Sequence, residues 1–203
     1  MRRLVGPLVM AFASVSALGG QITPASMTAT AQMQVKGGNL DGCGVRVVAV
    51  AQDQTTSITA VDFSFNLYRT GLALVKAGVR EARMNSPKEV QAPKIRQIQS
   101  FWLRAVGKPA STPGKAGIER SDSPKGYLLY AASNEAVGGL FGAFFSSEPI
   151  QVGYRLAGED IDHILSGTIT EAGTEQKEVS QCLTELTDAM AKDVEANSAK
   201  GKN

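Results

Sequence analysis

The sequence predicts an α+β domain, a small antiparallel sheet or OB-like barrel followed by a C-terminal amphipathic helix. Three observations lead there. Several segments alternate apolar and polar residues with the period of two that marks half-buried strands. One stretch between them, Asn134 to Ser146, carries an apolar stripe at helical spacing. A longer helical stripe closes the chain. The element order strand-strand-strand-helix-strand-strand between residues 57 and 170 is that of a small OB-like barrel, although no motif ties the chain to that fold.

The first strand is marked by Val45, Val47 and Ala49, alternating with Arg46, Val48 and Val50. In the second, Ser57 to Tyr68, Val61, Phe63, Phe65 and Leu67 share one face while Asp62, Ser64 and Asn66 share the other. Arg69-Thr70-Gly71 turns the chain into a partner strand carrying Leu72, Leu74 and apolar positions up to Val79. A slip of phase over Val75 to Gly78 predicts a bulge at the glycine. Residues 85–125 then change character. Pro87, Pro93, Pro109 and Pro113 punctuate a long excursion that holds one ordered segment, Ile95 to Val106, with loop from Gly107 to Pro124.

Beyond it, Tyr127 to Ala132 is a strand, and Asn134 is the expected N-cap of a helix whose stripe is Val137, Leu140, Phe141 and Phe144. Pro149 opens a strand with Ile150, Val152, Tyr154 and Leu156 alternating against Gln151, Gly153 and Arg155. Gly158-Glu159-Asp160 turns it, and a last strand runs near Ile164 to Thr170. The final helix, about Thr174 to Ala196, buries Val179, Cys182, Leu183, Leu186, Met190 and Val194. The domain is thus expected at 43–196, with a polar tail at 197–203.

The N-terminus reads as an export signal. Arg2 and Arg3 precede the uncharged stretch Leu4 to Leu18, and Ala29-Thr30-Ala31 supplies an A-x-A step. A secretion signal at 1–31 cut after Ala31 is expected, with an earlier cut near Ala17 or Gly19 as the alternative. Residues 32–42 then form a flexible lead-in. The destination is the periplasm of a bacterial envelope or the outside of the cell. In such an oxidising compartment the only two cysteines, Cys43 and Cys182, are expected to form a disulfide. No run is long enough to span a membrane as a helix.

Charge and motif narrow the chemistry. The chain has 21 Lys and Arg against 19 Asp and Glu, which argues against a nucleic-acid binder. With one histidine, no C-x-x-C and no G-x-S-x-G, neither a metal site, a catalytic set nor a cofactor is assigned. The glycines of Val137 to Gly142 lie inside a helix pattern and lack the G-K-[ST] of a phosphate loop, so they signal close packing. The basic residues concentrate in the excursion. Lys88, Lys94, Arg96, Arg104, Lys108, Lys115, Arg120 and Lys125 face only Glu89, Glu119 and Asp122.

A non-enzymatic binding or assembly module is therefore expected, contacting an anionic envelope protein, glycan or lipid headgroup through 88–125. Lys94, Arg96 and Arg104 supply the attraction and Phe101 and Trp102 the apolar area. Two alternatives remain. A hydrolase or metal-dependent enzyme would use Glu159, Asp160, Asp162 and His163, and a membrane-active or toxin-like subunit would use the apolar segment 136–145.

Overall fold

The computed structural model describes residues 22–52, 56–86, 89–113, 117–122 and 125–200. The charged and apolar start, Arg2 to Leu18, and the last residues of the polar tail lie outside the described residues. The elements are β1 (Ile22–Pro24), β2 (Ser26–Lys36), β3 (Asn39–Gln52), β4 (Ser57–Tyr68), β5 (Ala73–Ser86), β6 (Glu89–Val90), β7 (Lys94–Arg96), β8 (Ile98–Ala105), β9 (Glu119–Asp122), β10 (Lys125–Ala132), α1 (Asn134–Ser146), β11 (Ile150–Leu156), β12 (His163–Gly167) and α2 (Gly173–Lys200).

The strands form two sheets, and among the described residues neither closes into a barrel. The larger, eight-stranded sheet runs β2-β3-β4-β5-β10-β9, with β6 and β7 also paired to β5. The smaller runs β1-β12-β11-β8, all antiparallel except the β1–β12 pair. The OB-like barrel is not confirmed: the excursion is itself sheet, with β7 extending the larger sheet while β8 crosses to the smaller one. What holds is the coarser class, α+β with mostly antiparallel strands and two helices.

Alternation builds the interior. Val45, Val47 and Ala49, then Val61, Phe63 and Phe65, line the inner face of the larger sheet. Phe101, Leu103, Ile150, Val152 and Leu156 line the inner face of the smaller one, and all join a single buried cluster. Phe63 and Phe101 meet across it with ring centroids 6.4 Å apart. α1 packs on β4 and β8 through its predicted stripe of Val137, Leu140, Phe141 and Phe144. Its N-cap is Ser133, whose hydroxyl accepts from the Ala136 amide at 3.2 Å, rather than Asn134.

α2 lies on β2 and β3. There the Cys43–Cys182 disulfide, S–S 1.98 Å, joins residues 139 apart and sits with Leu186 in a small second cluster. Arg69 adds a two-pronged ion pair to Asp193. The helix is longer than its periodicity indicated, and its last predicted buried residue, Val194, is exposed.

Three segments of the first half differ from a plain reading of the sequence. Residues 32–42 are not a lead-in but the β2–β3 hairpin, turned at Gly37 and Gly38, whose φ of 59° and 80° are the positive pair a tight hairpin loop demands. Ala29-Thr30-Ala31 lies within β2, paired to Val47, Arg46 and Val45. The expected bulge at Gly78 is absent, since β4 and β5 pair without a shift from Ser57↔Arg83 to Leu67↔Ala73. The inward residues of β5 are Ala73, Val75, Ala77 and Val79, so the apparent slip is one face of small residues, and Leu72 is exposed.

Candidate functional site

The outer face of the smaller sheet is organised by a missing side chain. Gly153 on β11 pairs with Trp102 on β8, and the indole lies flat across it. A Cβ at position 153 would stand 1.9 Å from the indole Cε2, so only glycine admits the ring there. Two residues along the same face, the Arg104 guanidinium sits 5.2 Å from the Trp102 ring centroid. The residue paired with Arg104 is Gln151, 8% exposed, and its Oε1 accepts from Arg104 Nε at 2.8 Å. The cation is thus fixed by a ring and a neutral amide.

Four other arginines are met by carboxylates. Arg46 pairs with Asp62, Arg69 with Asp193, Arg155 with Asp162, and Arg96 with both Glu81 and Glu159. Among the described residues no carboxylate meets Arg104, and its two Nη groups have no partner. A guanidinium already held in one geometry loses little further freedom on binding, and uncompensated charge favours an anion.

The five residues expected to make the contact are therefore divided. Trp102 and Arg104 share the face just described. Phe101 does not belong with them: successive residues of a strand point to opposite faces, and Phe101 is 1% exposed in the core. Lys94 and Arg96 lie on β7 in the other sheet. Lys94 is exposed beside a groove of about 420 Å3 that Arg83 and Gln91 also line. Arg96 is committed to Glu81 and, at 3.4 Å, to Glu159, so it ties the larger sheet to the β11–β12 turn.

The acidic segment beyond that turn is also engaged. His163 Nε2 lies 2.6 Å from Glu159 Oε2, its ring stacks on Tyr154 at 5.0 Å, and Arg155 holds Asp162 at 2.8 Å. Burial, and next the negative charge of Glu81, push the Tyr154 hydroxyl up to about 12, so it stays protonated at neutral pH. These groups border a cleft of about 330 Å3 that shares Ser57 and Glu81 with the Lys94 groove. Among the described residues no three His, Cys, Asp or Glu side chains are placed to hold a metal ion. In the segment 136–145, most of the apolar side chains are core, and Phe145 is left partly exposed.

The outer face of the larger sheet repeats the glycine device. Tyr127 lies over Gly78, where a Cβ would stand 2.3 Å from the ring. Its hydroxyl donates to Asp62 Oδ2 at 2.6 Å, while Arg46 donates to both oxygens of the same carboxylate. Burial pushes the Asp62 carboxyl up most strongly, but the hydrogen bonds from Arg46 and Tyr127 and the nearby positive charges outweigh it and hold Asp62 below the usual range.

Sequence reasoning missed Gln151 and Gly153. Both appear in the alternation as outward residues, but their roles depend on standing opposite Arg104 and Trp102, and cross-strand register is not written in either strand alone. No protein-family model, curated protein or solved structure matches this chain. Among the described residues no helix is long and apolar enough to cross a membrane.

Proposed function

We propose that this protein is an exported, non-enzymatic binding module that contacts an anionic partner of the cell envelope, a protein, glycan or lipid headgroup, through Arg104 and Trp102. The observation that supports it is the guanidinium of Arg104, set on an indole face and oriented by Gln151 with no carboxylate against it. A planar cation with two outward N–H groups is matched to carboxylate, sulfate or phosphate oxygens. Its position within the basic segment adds longer-range attraction.

Export is supported by Arg2, Arg3 and the uncharged Leu4 to Leu18 together with the Cys43–Cys182 disulfide. The earlier cleavage, near Ala17 or Gly19, suits the fold better than a cut after Ala31. The later cut would remove β1, half of β2 and the buried side chain of Met27.

Binding to phosphatidylglycerol vesicles, dextran sulfate and polyglutamate at low ionic strength tests this reading and separates the three partner classes. At least one probe is expected to bind, weakening as salt is raised. Arg104→Ala should lower its affinity about tenfold or more, while Lys94→Ala, on the other sheet, changes it less than about threefold. Equal binding by Arg104→Ala and wild type, or no binding to any probe, would overturn the proposal.

A further inference from the structure

The water-facing side of β4 carries a row of polar residues that are buried. Asp62 and Ser64 are each 7% exposed and Asn66 is 5% exposed, although they point away from the core. Longer side chains rise around them. Gln32, Arg46, Lys76 and Tyr127 wall a recess of about 190 Å3 whose floor is Asp62 and Ser64. Glycines again make room: opposite Asn66, a Cβ at Gly44 would stand 2.0 Å from Asn66 Oδ1.

The hydrogen bonds of the floor are incomplete in a definite way. Ser64 Oγ accepts from Asn66 Nδ2 at 3.1 Å, which leaves the hydroxyl proton to be donated, with no acceptor among the described residues. Asp62 Oδ2 already accepts from Arg46 and Tyr127, whereas among the described residues Oδ1 accepts only from Arg46 Nε. Spare donor and acceptor capacity on a buried floor favours a group that uses it.

The floor thus offers a donor and an acceptor two residues apart on one strand face. A ligand hydroxyl accepts from the first and donates to the second at once. A small inorganic anion would meet the Asp62 carboxylate, and a bare cation would meet Arg46 and Lys76. Neutral hydroxyl groups suit a lining of mixed donors and acceptors. The volume equals roughly six water molecules, the scale of one sugar ring.

We infer that this recess binds a hydroxyl-rich ligand, a single sugar unit, with Asp62 and Ser64 gripping one hydroxyl and Gln32 and Arg46 the next. The site lies on the opposite sheet from Arg104, so it stands or falls independently of the anion contact.

Glucose, galactose, mannose and N-acetylglucosamine, titrated one at a time into the isotope-labelled, oxidised protein, provide the test, with inorganic phosphate and glycine as controls. At least one sugar is expected to move the amide resonances of Gln32, Arg46, Ser64 and Tyr127 along a saturating curve. Gln32→Leu, on an edge strand where it does not disturb the core, and Ser64→Ala should each raise the dissociation constant about tenfold. Unchanged far-ultraviolet circular dichroism would show that both variants remain folded. The inference is overturned if no sugar perturbs these resonances at high millimolar concentration, if both folded variants bind as wild type does, or if phosphate alone saturates the site.

Discussion

The two sheets solve the same local problem and end with opposite electrostatics. Each lays an aromatic ring over a glycine on its outer face, Tyr127 over Gly78 and Trp102 over Gly153, and each sets an arginine beside the arrangement. On the larger sheet the arginine is Arg46, whose charge is met by the buried Asp62 carboxylate. On the smaller sheet it is Arg104, met only by the Gln151 amide. One exchange of oxygen for amide in the partner separates an ion pair that holds a strand pair together from a cation presented to solvent.

The largest expected difference follows from removing each arginine. Arg46→Ala leaves Asp62 with Tyr127 as its only hydrogen-bond donor. It should cost about 2–3 kcal/mol, less than a fully buried pair because half of the Arg46 side chain is in water. For a chain of this size that is a fall in melting temperature of roughly 5–10 °C. Arg104→Ala breaks a bond to a neutral amide and should cost less, about 1–1.5 kcal/mol, because no buried charge is left behind.

Acid distinguishes the two further. Asp62 is held below its ordinary value in the folded protein, so its contribution to stability is complete above about pH 4 and is lost as pH falls through the lowered folded value. The Arg46→Ala penalty should therefore shrink below about pH 4, whereas that of Arg104→Ala should not change with pH. Denaturant titrations at pH 7 and pH 3 measure both. Equal penalties at pH 7 would show that the Arg46–Asp62 pair is as dispensable as its counterpart.

The glycines sharpen the comparison at a smaller scale. Gly78→Ala and Gly153→Ala each force a methyl group into a ring and should cost about 1–3 kcal/mol. Their side effects should not overlap. Trp102 is the only tryptophan, so its emission reports the smaller sheet directly. Gly153→Ala should shift that emission and weaken anion binding, because Arg104 rests against the displaced ring. Gly78→Ala should leave both unchanged and instead pull Tyr127 away from Asp62, letting the folded carboxyl rise toward its ordinary value and making stability less sensitive to acid. A tryptophan shift in Gly78→Ala would mean that the two outer faces are coupled through the core.

How far the sequence revealed this is uneven, for physical reasons. Strands with a clean apolar face, Ser57 to Tyr68 and Ile150 to Leu156, were legible because burial imposes a period of two on them. The disulfide was legible because only one pairing of two cysteines exists. The β2–β3 hairpin was missed although Gly37-Gly38 stands at its turn, since most of β2 is Thr, Ala and Gln and carries no strong apolar face. Trp102 and Arg104 could be picked out by residue type and local charge. Phe101 could not be separated from them until the strand was known to put neighbours on opposite faces. Asp62 and Ser64 looked like an ordinary solvated face, because nothing local says that Gln32, Lys76 and Tyr127 will close over them.

The subtlest test converts one face into the other. Gln151→Glu places a carboxylate opposite Arg104 in the same register, reproducing on the smaller sheet the charge balance that Arg46 and Asp62 have on the larger. Overall stability should move by less than about 2 kcal/mol, since position 151 is 8% exposed and the cost of desolvating the new carboxylate offsets most of the charge pairing it gains. Anion affinity should nevertheless drop about tenfold, because the guanidinium charge is now answered from within the protein. Trp102 emission should stay at its wild-type position, showing that the ring and its glycine are undisturbed. If affinity survives in a variant with that unaltered emission, the partner reads the shape of the Trp102 face rather than the charge of Arg104, and the anionic character of the partner must be abandoned.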